Sequence, residues 1–289
     1  MRIAVASGKG GTGKTTVALN LFRHFSKRFP GGVLLADCDV EEPNDALFLR
    51  DIEMVRQVPV KQEIPVIDSS RCNFCRKCAE YCEFGAITVF PTAGFAGINS
   101  ELCHSCGACS VACDRDAIWV KDQDIGMLRS YRTPDGSCLM EGELKIGSAM
   151  QTMVIRSLKK ALPDKFELIL LDAPPGTSCP VVETVSDADY VVLVTEPTPF
   201  GFHDMKLMVN MLREMDQSFG VVINKTSGKY PDIYRYLEKE MIPVLGEIPF
   251  SRDYAAGYAK GSLFDQLPDE IRRAYEQLVQ QVGLLTVKA

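Results

Sequence analysis

Two sets of residues in this sequence could do chemistry. The first is Gly8-Lys9-Gly10-Gly11-Thr12-Gly13-Lys14-Thr15, a G-x-x-x-x-G-K-[ST] loop. Its glycines let the backbone wrap around phosphates with N–H groups pointing inward. The helix that it opens adds a partial positive charge at its N-terminus. Lys14 is expected on the β- and γ-phosphates and the Thr15 hydroxyl on Mg²⁺. Gly8, Gly10 and Gly13 also fit the dinucleotide fingerprint, but a pyrophosphate clamp needs neither Lys14 nor Thr15. The second set is cysteine: Cys72, Cys75, Cys78 and Cys82 recur 31 residues later as Cys103, Cys106, Cys109 and Cys113.

C-x₂-C-x₂-C-x₃-C is the bacterial ferredoxin spacing, in which the fourth cysteine ligates the other of two clusters. Three cysteines on a tight loop can bind three irons of one cubane, while the fourth, on a following helical turn, points across the module. One [4Fe–4S] cluster is therefore assigned to Cys72, Cys75, Cys78 and Cys113, and a second to Cys82, Cys103, Cys106 and Cys109. Two zinc sites are the alternative. Zinc motifs rarely use this triple spacing, and Ala86-Ile87 recurs as Ala117-Ile118 after each quartet, as in a ferredoxin core strand. The proline expected after each fourth cysteine is replaced by Glu83 and Asp114. Carboxylates there disfavour reduction and shift a cluster potential downward.

Three segments must position these residues. In residues 1–58, the apolar run Arg2–Ser7, the helical spacing of Val17, Leu21, Phe22 and Phe25 in Lys14–Lys27, and the run Val33–Asp37 predict strand, helix, strand. Residues 150–289 return to that style. They predict helices over Met150–Ala161, Met205–Met215 and Ile233–Glu240, and strands over Phe166–Leu171, Tyr190–Thr195, Phe219–Ile223 and Val244–Ile248. This is α/β alternation, which implies a mostly parallel sheet with helices on both faces. The cysteine repeat interrupts it as a small α+β bacterial-ferredoxin-like domain. The expected boundaries are 1–60 and 125–289 for the nucleotide domain and 61–124 for the insertion.

Strand ends supply carboxylates. Ile169–Leu171 runs into Asp172, a usual Mg²⁺ partner, and Ala173-Pro174-Pro175-Gly176-Thr177 follows as a loop suited to sensing a γ-phosphate. Asp37-Cys38-Asp39 ends the second strand beside the phosphate loop. Turn capping is the alternative role for both of these aspartates.

With 289 residues, 46% hydrophobic and 24% charged, the chain reads as globular. Its 11 cysteines are an odd number, which argues against a pure disulfide framework. The N-terminal apolar run is too short for a secretory signal, and no run reaches the roughly 20 apolar residues of a membrane span. The expected location is the cytoplasm, where clustered cysteines bind metal or do redox chemistry. A net charge of −6 disfavours non-specific nucleic-acid binding.

Lys9 through Thr16, KGGTGKTT, resembles the deviant Walker A motif of the MinD/ParA/Mrp/nitrogenase iron protein superfamily, whose mark is an early second lysine, here Lys9. The resemblance covers most of residues 1–50 and 150–260 and extends to MinD-like ATPases with an inserted ferredoxin domain. It implies Mg-ATP hydrolysis with ATP or ADP held by Gly8, Lys9, Gly10, Gly11, Thr12, Gly13, Lys14, Thr15 and Thr16. It implies a face-to-face dimer, with an identical copy or a paralogous ATPase, in which Lys9 reaches the partner's nucleotide. A second cation there stabilises both the dimer and the charge that develops in hydrolysis. It also implies that Asp39 orients the attacking water, that Mg²⁺ lies near Thr15, Asp39 and Asp172, and that Asn224 and Pro249 border adenine. By the offset found in the nitrogenase iron protein, Cys179 could hold a further cluster across the dimer, with Cys138 completing its ligands. A buried free thiol is the alternative for Cys179. Cys38 reads as packed. His104 reads as a solvated loop residue able to donate to a cluster sulfur.

Three functions fit this constellation. The leading one is an ATP-gated electron carrier with a redox partner. The second is an iron–sulfur cluster carrier of Mrp type that delivers to an apo iron–sulfur protein. The third is a MinD-like regulatory or positioning ATPase with redox-sensing clusters. MinD carries a C-terminal membrane helix. The corresponding segment Pro268–Val282 lacks a basic cluster and reads as a core helix, so no stable membrane anchoring is expected.

Overall fold

Apolar runs buried on both faces can satisfy their backbone only as central strands flanked by helices. That is how this chain folds, in a computed structural model that describes residues 1–286 except 229 and 266, and Thr286 by its backbone alone. The chain begins β1 (Arg2–Ala6), α1 (Lys14–Arg28), β2 (Val33–Asp37) and β3 (Glu53–Ile67). The cysteine segment holds α2 (Lys77–Glu80), β4 (Ile87–Phe90), β5 (Phe95–Ile98) and α3 (Ala108–Val111). Then come β6 (Ile118–Arg132), β7 (Cys138–Leu144), α4 (Gln151–Ala161), β8 (Leu168–Asp172) and α5 (Cys179–Val185). The chain closes with β9 (Tyr190–Thr195), α6 (Pro199–Glu214), β10 (Phe219–Thr226), α7 (Pro231–Lys239), β11 (Val244–Pro249), α8 (Arg252–Ala259) and α9 (Asp269–Thr286).

Among the described residues, nine strands share one sheet in the order β11-β10-β9-β1-β8-β2-β7-β6-β3. From β11 to β7 every neighbouring pair is parallel. The chain runs from β1 toward β2 on one side and toward β9 on the other. The crevice at the carboxyl ends of β1, β8 and β2 is thus the topological switch point where such sheets bind ligands.

The chain divides into two compact units. Unit 1 comprises residues 1–58, 128–143 and 152–289, and unit 2 comprises 59–127 and 144–151. The chain crosses between them within β3 and β6, at the end of β7 and at the start of α4. Residues 144–151, expected with the nucleotide domain, fold in unit 2. Strands β3, β6 and β7 were not expected. β3 and β6 carry charged residues along largely exposed faces, so their apolar pattern is weak and only sheet pairing specifies them. Helix α6 begins at Pro199, six residues before the expected start. Thr198 caps it by accepting the Gly201 N–H at 3.0 Å, and proline suits the first helical turn.

Unit 1 is built around α1 and the central strands, with α9 packed on the same core. Ile271, Tyr275, Leu278 and Val282 of α9 are fully buried, so this helix spends its apolar face inside the protein. Among the described residues, no helix is long and apolar enough to cross a membrane. Unit 2 has a smaller core in which Cys109 packs with Ile87 and Val89, and Cys103 with Ile64 and Ala86. Its 31-residue repeat extends to the backbone. Positive φ recurs at Phe74 and Ser105 (56° and 54°), at Arg76 and Gly107 (71° and 74°), and at Gly85 and Asp116 (62° and 45°).

Because Leu278 is fully enclosed, Leu278→Ala should lower unfolding free energy by about 2–4 kcal/mol in urea titration. Gln277→Ala, on the exposed side of α9, should stay within about 0.5 kcal/mol. Equal effects would mean that α9 is not part of the core.

Candidate functional site

The phosphate loop joins β1 to α1. Gly13 takes φ 92°, and a Cβ there would meet Asn224 Nδ2 at 2.1 Å. Glycine is therefore required both by conformation and by close approach. Lys14 opens α1 and is almost fully buried. Its Nζ donates to Asp172 Oδ1 at 2.7 Å, and the Thr15 hydroxyl donates to Asp172 Oδ2 at 2.7 Å. Burial alone would lower the Lys14 pKa, but the Asp172 carboxylate outweighs it and holds the ammonium protonated. One carboxylate at the end of β8 thus fixes both residues that the motif assigns to phosphate and Mg²⁺.

Asp37 has the capping role. Its carboxylate accepts the N–H groups of Asp39 (3.0 Å), Asn44 (2.8 Å) and Asp45 (3.1 Å), fixing the loop after β2. Asp39 itself lines the cleft with Lys9, Lys14 and Thr15. Burial pushes the Asp37 carboxyl up to about 7, reinforced by nearby Asp172. Burial also raises Asp39 to about 6 against the pull of Lys14. Asp45 was not singled out from sequence. It is fully buried, both of its carboxylate oxygens lack a hydrogen-bond partner, and it converges with Asp37 and Asp172 within 4.8 Å. Burial, then the two neighbouring carboxylates, raise its pKa well above the usual range. Cys38 is fully buried, as expected of a packed residue, and burial pushes its thiol pKa up.

Several cleft residues behave differently from expectation. Lys9 is engaged within its own chain, donating to Glu196 Oε1 at 2.5 Å. Lys225 lies 3.5 Å from the other oxygen of Glu196. Burial works to raise the Glu196 pKa, but the two lysines hold it below the usual value. Asn224 spends its side chain on the phosphate loop: Nδ2 donates to Thr12 O at 2.7 Å, and Oδ1 accepts the Lys225 N–H at 2.9 Å. It thereby buttresses the loop while also lining the cleft. Pro249 borders the cleft beside Phe250, Tyr254 and Tyr258. The two tyrosines sit on α8, a helix not expected from sequence. The available signal was Ser251 as N-cap, accepting the Tyr254 N–H.

Cys138 and Cys179 do not come together. Cys138 opens β7 and pairs with Leu34, whereas Asp37 at the far end of β2 pairs with Glu141 and Asp172. Cys179 starts α5, just beyond the carboxyl end of β8. The two cysteines therefore occupy opposite ends of the sheet, and one chain cannot present both to a single bridging cluster. Cys179 is exposed, which also overturns the reading of it as a buried thiol.

The eight repeat cysteines are all free thiols and line two cavities in unit 2. One is lined by Cys72, Cys75, Cys78 and Cys113, and the other by Cys82, Cys103, Cys106 and Cys109. Backbone N–H groups point at four of the sulfurs: Phe74 to Cys72 and Ala86 to Cys82 (both 3.4 Å), Ser105 to Cys103 (3.5 Å) and Ala117 to Cys113 (3.4 Å). These donors also obey the 31-residue period. Among the described residues, no three cysteine sulfurs converge within 4.8 Å. A single tetrahedral zinc, with Zn–S bonds of about 2.3 Å, draws its sulfurs closer than that. Each cavity thus collects the four cysteines that the spacing grouped together. His104 stacks on Phe84 at 3.9 Å between ring centroids, beside the second cavity.

A carboxyl whose pKa is raised by folding costs stability as pH climbs above its unfolded value. Asp45→Asn removes that charge, so it should raise the Tm of the nucleotide-free protein at pH 8 by about 3 °C or more. The gain should shrink toward pH 5. A pH-independent difference would show that Asp45 carries no such strain.

Residues 3–264 match the family model described as the CobQ/CobB/MinD/ParA nucleotide binding domain. An uncharacterized protein of Methanocaldococcus jannaschii is 32% identical over 96% of this chain and 96% of its own length. The iron-sulfur cluster carrier protein of Pyrococcus abyssi is 26% identical over 86% of this chain and 73% of its length. Among solved structures, the septum site-determining protein MinD of Pyrococcus horikoshii, complexed with Mg-ADP, superposes with a TM-score of 0.56. It is 19% identical and covers 100% of this chain and 98% of that one, a likeness of fold. With a phosphate loop at the switch point of a parallel sheet and a family match over most of its length, this chain belongs to the CobQ/CobB/MinD/ParA nucleotide-binding family.

Proposed function

We propose that this protein is an ATPase that couples nucleotide binding, hydrolysis and dimer closure to electron transfer through two [4Fe–4S] clusters. The observation that carries the reading is the pair of cavities, each lined by one interlocked cysteine quartet, in a chain that also holds a complete phosphate loop. Each cluster, when bound, would accept and release one electron. Cys72, Cys75, Cys78 and Cys113 would hold one, and Cys82, Cys103, Cys106 and Cys109 the other.

At the nucleotide, the chain's own residues have distinct tasks. Backbone N–H groups of Gly10 to Thr15 wrap the phosphates, and Lys14 brings a permanent positive charge to them. The Thr15 hydroxyl and the Asp172 carboxylate would hold Mg²⁺, with Asp39 orienting the attacking water. Asp37 positions Asp39 through the backbone. Pro249, Phe250, Tyr254 and Tyr258 form the apolar wall suited to a base. Lys9, held by Glu196 in this state, must exchange that partner for phosphate oxygens to act across a dimer. Glu196 is thus a positioning residue that keeps Lys9 occupied until nucleotide and partner arrive.

A second reading, an iron–sulfur cluster carrier, is favoured by the Pyrococcus abyssi relative and by the exposure of Cys179. On that reading Cys179 alone, one from each chain, would contribute to a shared cluster.

Anaerobically purified protein should contain about eight iron and eight sulfide per chain, with EPR signals of two [4Fe–4S] centres after reduction. One or two metal ions without sulfide would end the electron-transfer reading. Iron above that level, lost selectively in Cys179→Ser, would favour the carrier. Lys9→Ala should keep nucleotide affinity within about threefold yet abolish ATP-driven dimerisation in sedimentation. Glu196→Gln should shift dimerisation to lower ATP concentration. Unchanged dimerisation in both variants would remove Lys9 from the interface.

A further inference from the structure

The internal repeat gives each quartet a built-in control, because every position around one has a counterpart 31 residues away around the other. Around the first quartet stand Arg71, Arg76, Lys77 and Arg115; the matching positions around the second are Leu102, Gly107, Ala108 and Phe84. Four cations on one side face four neutral residues on the other. All four cations are exposed. Arg76 and Arg115 line the first cavity itself. Lys77 pairs with Asp114, whereas neither Arg76 nor Arg115 has an ion-pair partner among the described residues. Asp68, Glu80 and Asp116 are the other carboxylates near this quartet, and the two arginines that line the cavity are the cations they leave without an ion pair.

The second quartet is bordered differently. Residues 80–86 and 101–111 contain no lysine or arginine but do contain Glu80, Glu83 and Glu101. Its cavity is lined by Glu63 and by the stacked rings of Phe84 and His104. Both quartets reach the surface, through Cys75 and Cys106. Access therefore does not distinguish them, and charge does.

We infer that the Arg71, Arg76, Lys77 and Arg115 rim is the docking surface for an acidic one-electron carrier protein, which exchanges its electron at the first quartet. The inference rests on the two-cluster reading. The chain carries net charge −6, so an anionic carrier is repelled by most of its surface and attracted to this rim. A local patch of opposite sign sets both the rate and the orientation of encounter. The step moves one electron: the carrier is oxidised by one, the group held by Cys72, Cys75, Cys78 and Cys113 is reduced by one, and no proton or bond changes hands.

The test mixes the iron-loaded protein with a reduced acidic ferredoxin in an anaerobic stopped-flow instrument. The second-order rate should fall about tenfold as ionic strength rises from about 0.05 to 0.5 M. Arg115→Glu and, separately, Arg76→Glu should slow the low-salt reaction about tenfold, while Leu102→Glu, at a matching position, should stay within about twofold. Iron content and photoreduction with a deazaflavin should be the same in all four proteins, showing that the quartets are intact. A salt-independent rate, or equal slowing by Leu102→Glu, overturns the docking surface. Protein without two iron–sulfur centres overturns the reading beneath it instead.

Discussion

The structure of unit 1 turns on a lysine and an aspartate that hold each other at 2.7 Å with almost no access to water. Neither charge could be buried alone; removing one partner of such a pair typically costs about 3–5 kcal/mol. Lys14 is the first residue of α1 and Asp172 the last of β8, so the pair ties the start of the helix to the end of the central strand. The loop between β1 and α1 then has little freedom left, and Asn224 removes more by anchoring Thr12 from β10. Phosphate-binding amides are thus set in place before any ligand arrives, which is how preorganised sites avoid reorganisation during chemistry.

The same crevice concentrates negative charge. Asp37, Asp45 and Asp172 converge in the interior, with Lys14 as the adjoining buried cation. The arrangement is balanced for a state with more positive charge than the polypeptide supplies. A magnesium-bound nucleotide would bring two positive charges with the metal beside these carboxylates. The strain among these carboxylates is an electrostatic imbalance that such a cation would relieve.

Features that depend on neighbouring residues were legible in the sequence. The phosphate loop, the first strand and helix, and the cysteine quartets are all written in contiguous spacing, and the central strands announce themselves as apolar runs. Features made by distant residues were not. Glu196 lies 187 positions from Lys9, and no local pattern joins them. Asp37 looked like a site carboxylate because it stands at a strand end, yet its oxygens serve the backbone of its own loop. Cys179 invited a shared cluster by its offset from Asp172, with Cys138 to complete the ligands; the register of β7 and the start of α5 place the two at opposite ends of the sheet. Strands β3 and β6 escaped notice because exposed strands need no alternating apolar face, and β7 because its buried stretch carries Glu141 and Gly142 among its apolar residues.

Sulfur is a structural material in unit 2. Cys103, Cys109, Cys78 and Cys82 contribute to its two small clusters of packed side chains, where a larger domain would use leucine or valine. Oxidation of those sulfurs adds polar oxygen to the places where the unit excludes water. Oxidation at those positions would therefore loosen the packing of unit 2 directly.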